Sequence, residues 1–106
     1  MSMLDLSMFN EETYDIKFSE DDILHVKKPS EDIAIKILAH VNIKMDEINP
    51  EQMLKVTREL TKVVLNHNKD TRVFNDNFIK KLPLDIQMAI LKGYTQFMIG
   101  LEQNPN

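Results

Sequence analysis

The hydrophobic period of this chain changes once, from two residues to between three and four, and the change falls at Pro29. Before it, Thr13-Tyr14-Asp15-Ile16-Lys17-Phe18 alternates strictly, with Tyr14, Ile16 and Phe18 on one face. That is the pattern of a half-buried strand. Ser19 to Asp22 reads as a polar four-residue loop, and Ile23 to Lys27 as a second strand whose Leu24 and Val26 join the same apolar face. Together they predict a β-hairpin. A lone hairpin is marginal in water, so its apolar face must lie against something else.

That support is helical. Ser30 followed by Glu31 and Asp32 is a helix start, with a capping hydroxyl and two carboxylates where the helix dipole favours them. Ile33, Ala34, Ile37, Leu38 and Val41 then recur at helical spacing. A second start is Asn49-Pro50, with Gln52 in capping-box register, and Met53, Val56, Leu60, Val63 and Val64 predict a helix to about Asn66. Asn75-Asp76-Asn77 opens a short turn through Phe78, Ile79 and Leu82. Pro83 begins a last helix whose stripe is Ile86, Ala89, Ile90, Tyr94, Phe97 and Leu101. Gly93 interrupts it at a cost of about 1 kcal/mol relative to alanine, which suits close packing at that point. The expected fold is α+β, mainly α: an N-terminal hairpin (12–28) packed on three main helices and one short one (30–101). An N-terminal arm (1–11) and a short tail (102–106) complete a single domain.

Composition narrows what such a domain does. The 106 residues are 42% apolar and 28% charged, which is globular. No cysteine is present, so disulfides, thiolate zinc sites and thiol nucleophiles are excluded, in keeping with a reducing cytoplasm. The first ten residues have neither a basic nor a long apolar block, so no secretory signal is expected. Apolar runs are far short of a membrane span. The net charge is −4 without a basic face, which argues against nucleic acid and leaves neither nucleic acid nor membrane as an expected partner.

Catalysis is not expected either. The three histidines, His25, His40 and His67, are isolated from one another, and His40 and His67 near helix C-termini are explained by the dipole. Asn66-x-Asn68-x-Asp70 opens like a calcium loop, but its sixth place is Thr71 rather than glycine and its twelfth is Asn77 rather than glutamate. A polar loop whose asparagines satisfy helix-end backbone groups is the simpler reading. With two glycines in the chain, no phosphate-cradling or nucleophile-elbow motif can be built. No catalytic residue, metal ligand or cofactor is assigned.

Binding is the positive expectation. Seven methionines are present, with Met1, Met3 and Met8 beside Leu4, Leu6 and Phe9, and Met88 and Met98 on the last helix. Any one of them suits an irregular core, yet such flexible side chains also suit surfaces that accept varied partners. Met88, Leu91 and Met98 lie off the main stripe of the last helix, so its apolar surface exceeds one face. The candidate partner-binding residues are Met88, Leu91, Tyr94, Phe97, Met98 and Leu101 on that helix, with Leu4, Met8 and Phe9 in the arm.

The layout also resembles a family. The lead Leu4-Asp5-Leu6-Ser7-Met8-Phe9 precedes a hairpin ending in Val26-Lys27-Lys28-Pro29-Ser30. A helical body follows with Ile86-Gln87-Met88-Ala89-Ile90-Leu91-Lys92-Gly93-Tyr94-Thr95-Gln96-Phe97, and then Gln103-Asn104-Pro105-Asn106. In this it is similar to the small tail assembly chaperones of long-tailed phages of Gram-positive bacteria. The resemblance covers nearly the whole chain and transfers no catalytic residue. It implies a late protein in the cytoplasm of the infected host that binds the long helical tape measure protein, often as a homo-oligomer, and is absent from the mature virion. A small adaptor that inhibits one globular host protein is the alternative from a different class.

Overall fold

A computed structural model describes residues 2–6, 12–41 and 49–103, the last three by their backbone alone. The hairpin is formed by β1 (Thr13–Ser19) and β2 (Asp22–Lys27), antiparallel, with Tyr14 opposite Val26 and Ile16 opposite Leu24. Its turn is shorter than the sequence suggests. Ser19 pairs with Asp22 across Glu20 and Asp21, and a register irregularity between Lys17 and Ser19 absorbs the extra residue.

Four helices follow: α1 (Glu31–Val41), α2 (Pro50–Asn66), α3 (Asp76–Lys81) and α4 (Leu84–Gln103). The α+β, mainly α architecture is as the periodicity predicts. The three cap side chains also act as read, although Asn49 bonds Glu51 rather than Gln52 of the capping-box register. The Ser30 hydroxyl accepts from Ile33 N at 3.3 Å, Asn49 Oδ1 from Glu51 N at 2.8 Å, and Asn75 Oδ1 from Phe78 N at 2.9 Å. Each satisfies an amide that the first helical turn leaves open.

The inner face of the hairpin closes the core. Leu24 and Val26 are fully buried beside Ile37 of α1, Leu60, Val64 and Leu65 of α2, Ile79 of α3, and Ile90, Leu91 and Tyr94 of α4, with Phe74 from the loop before α3. Tyr14 lies over Gly93, where a Cβ would overlap the Tyr14 hydroxyl and come within 2.9 Å of Cζ. The close packing expected at this glycine is therefore made by the hairpin. Tyr94 donates its hydroxyl to Lys27 O at 2.6 Å, and burial pushes its phenol up, keeping the donor protonated.

Three helix faces differ from the sequence reading: on α1 only Ile37 is buried, and Leu38 and Val41 of the predicted stripe are 40% and 44% exposed. On α2 the interior holds Thr57, Thr61 and Leu65 beside Leu60 and Val64, whereas Met53, Val56 and Val63 are half-buried. Thr61 enters the core because its hydroxyl donates back to Thr57 O at 2.7 Å. On α4 the buried face is Gln87, Ile90, Leu91 and Tyr94, one position round from the predicted stripe, and Ile86 and Ala89 lie outside. Gln87 can be interior because its amide donates to Ile79 O and Leu82 O at 3.2 and 3.0 Å, closing the end of α3.

The loop between α2 and α3 extends the sheet. Lys27 N donates to His67 O and Lys69 N to His25 O, so residues 67–69 line the outer edge of β2. The asparagines organise this loop as expected. Asn66 and Asn68 hydrogen-bond its backbone, and the Asp70 carboxylate accepts from His25 N at 2.8 Å while facing its ring. Those contacts hold the Asp70 carboxyl below its ordinary value. The turn attributed to glycine in a calcium loop is nevertheless made, because Thr71 itself adopts φ 56°. Arg72 secures the hairpin tip through Asp22 at 2.6 Å and lies over Phe18 and Phe74, 5.5 and 5.1 Å from their centroids.

Candidate functional site

On the side of α4 away from Tyr14, the body carries an apolar groove of about 530 Å³. Its walls come from the end of α1 (His40, Val41), the first half of α2 (Met53, Leu54, Thr57) and α4 from Leu84 to Gln96. On α4 the small Ala89 side chain forms part of the lining. Val41, Leu54, Leu84 and Met88 line it while 42–52% exposed, so a large apolar surface faces solvent. An open patch of this kind marks an interaction surface.

The polar groups in the floor are turned inward. His40 Nε2 and the Thr57 hydroxyl are 3.1 Å apart, and Thr95 donates to Leu91 O at 2.8 Å. His40 Nδ1 is enclosed with no hydrogen-bond partner among the described residues. Protonating both ring nitrogens would leave an N–H stranded in an apolar wall, and burial accordingly lowers the His40 pKa. The dipole argument made for this histidine from sequence is therefore outweighed. What remains to read a ligand's polarity is Asp85, Lys92 and Gln96 at the rim.

The His40 shift makes a prediction. A base whose folded pKa is depressed contributes stability that is fully present above its unfolded value, near 6.5, and lost as pH falls through the folded value. Denaturation midpoints should therefore fall between pH 7 and pH 5 more steeply for the wild type than for His40→Gln. Parallel profiles for the two proteins would show that His40 is not the group responsible.

The sequence-chosen contact residues scatter. Met88 stands in the groove, 52% exposed. Leu91 lines the groove although it is 3% exposed and part of the core, whereas Tyr94 is fully buried and lies outside the groove lining. Phe97 and Met98 are half-buried against that core. Leu4 is 72% exposed in the arm, while Met8, Phe9 and the side chain of Leu101 lie outside the described residues. Val41, Leu54 and Leu84 were missed. Their signal was present in Leu54, an apolar side chain off the α2 stripe, and in a last turn of α1 that stays apolar at Val41.

No three His, Asp or Glu side chains gather as metal ligands among the described residues, and no described helix is long and apolar enough to cross a membrane. Comparison with protein-family models, with curated proteins and with solved structures gives no match.

Proposed function

We propose that this protein is a tail assembly chaperone of a long-tailed phage, which holds apolar helical segments of the tape measure protein in the α1–α2–α4 groove and self-associates. The observation that carries the reading is the groove itself, apolar, open and walled by helices, with its floor polar groups satisfied or enclosed. Such a trough suits the apolar face of an amphipathic helix, recognised by shape and burial rather than by fixed hydrogen bonds. A client with many imperfect repeats needs this tolerance, and Met53 and Met88 supply adaptable walls. Many weak contacts along one long helix then add through avidity. The client remains soluble in the host cytoplasm until the tail tube encloses it, and the chaperone is left out of the virion.

The test is co-expression with a phage tape measure protein. The wild-type chain should keep the client in the soluble fraction and copurify with it. Leu54→Asp and Met88→Asp should each reduce copurification at least about tenfold, because a charge in an apolar contact costs a few kcal/mol. Both side chains are about half exposed, so the melting temperature should change little. A client that stays insoluble with the wild type, or that copurifies equally with both variants, refutes the assignment.

A further inference from the structure

The exposed stripe of α4 is Asp85, Met88, Ala89, Lys92, Gln96 and Ile99, which repeats at the spacing of a heptad seam. Among its described side chains α4 carries two charges, Asp85 and Lys92, and both stand on this stripe. They are seven residues apart, hence about 10.5 Å along the axis and nearly in line. Neither forms an ion pair among the described residues. The Asp85 carboxylate accepts only from Ile86 N, at 2.9 Å.

This pattern is self-complementary. A two-fold axis between Met88 and Ala89 brings Asp85 of each copy to Lys92 of the other and packs Met88 against Ala89 across the axis. The small Ala89 permits the 8–10 Å approach that helix pairs adopt. A parallel pairing in the same register would instead set like charges side by side. We infer that a second copy of this chain occupies the groove through an antiparallel α4–α4 contact with closed two-fold symmetry. The inference rests on reading the groove as a helix-docking surface, and it names what covers that surface when no client is present. A two-fold contact uses the same patch on both partners, so it closes at a dimer and shields both grooves at once.

Sedimentation velocity of the purified chain, without client, tests this. The wild type should pass from monomer to dimer as concentration rises. Asp85→Lys and Lys92→Asp should each weaken the dimer at least about tenfold, since either swap places like charges at both ends of the seam. The double variant D85K/K92D should dimerise again. An equimolar mixture of the two single variants should form a heterodimer, because one copy then carries two lysines and the other two aspartates. Far-UV circular dichroism controls for folding. Lys92→Glu carries the same test with the first turn of α4 untouched, should D85K disturb it. A wild type that stays monomeric, single variants that dimerise as well as the wild type, or a folded pair that does not recombine on mixing overturns the proposal. Because no client is in the cell, each of these outcomes leaves client capture to its own co-expression test.

Discussion

Asn68→Ala should destabilise the fold by about 3 kcal/mol, because one side chain there satisfies four backbone groups. Asn68 is 8% exposed. Its Nδ2 donates to Leu65 O at 2.8 Å and Arg72 O at 2.9 Å, and its Oδ1 accepts from Asp70 N at 2.9 Å and Arg72 N at 3.1 Å. Alanine leaves these groups short of partners where water has little access, and it loosens the segment that edges β2. Asn68→Asp separates hydrogen bonding from volume. It keeps the acceptor for the two amides but turns a second oxygen toward two carbonyl oxygens, so it should cost nearly as much as alanine. Urea denaturation of the three proteins decides the matter. A change within about 0.5 kcal/mol for Asn68→Ala, the range of an ordinary surface substitution, would show that the loop does not depend on this side chain.

Gly93→Val should cost a similar amount, about 3 kcal/mol, although valine is the better helix former. Any Cβ at this position runs into Tyr14. Tyr14 has little freedom to retreat, because its ring lies 5.7 Å from that of Tyr94 and 6.0 Å from that of Phe97. The Tyr14 ring, or the strand that carries it, must therefore shift away from α4. In a Tyr14→Ala background the obstacle is gone, and the same substitution should become cheaper by at least about 1 kcal/mol. That difference is the coupling expected for residues in direct contact. Additive effects of the two substitutions would mean that the contact is not what excludes a side chain from position 93.

Local chemistry made much of this fold readable. The caps at Ser30, Asn49 and Asn75 act over two or three residues, and the alternation of Tyr14, Ile16 and Phe18 depends on nothing beyond the strand. Which arc of a helix is buried depends on its neighbours, and there the sequence misleads. Thr57, Thr61 and Gln87 look like surface residues until their hydrogen bonds to Thr57 O, Ile79 O and Leu82 O, or the His40 ring beside Thr57, are in place. The same displacement hid the groove. Leu91 off the stripe and Tyr94 on it read equally as interface or core, and only the packing of the hairpin and α2 buries Tyr94 while leaving Leu91 in the groove wall. Leu54 and Val41 are unremarkable apart from each other; the meeting of α1, α2 and α4 is what makes them one surface.

The supports of the hairpin also fix an order of events. Lys28 O meets the His67 ring across 39 residues of sequence, His25 meets Asp70 across 45, and Lys27 O meets Tyr94 across 67. Pairings so distant carry a loop-closure cost that must be met before they stabilise anything. The hairpin precedes all four helices in the chain, so it is the one of these elements that waits longest for its partners. The hairpin, marginal by itself, gains its last support only when α4 is in place and Tyr94 can reach it. Completion of the hairpin is thereby tied to the described helix farthest from it along the chain.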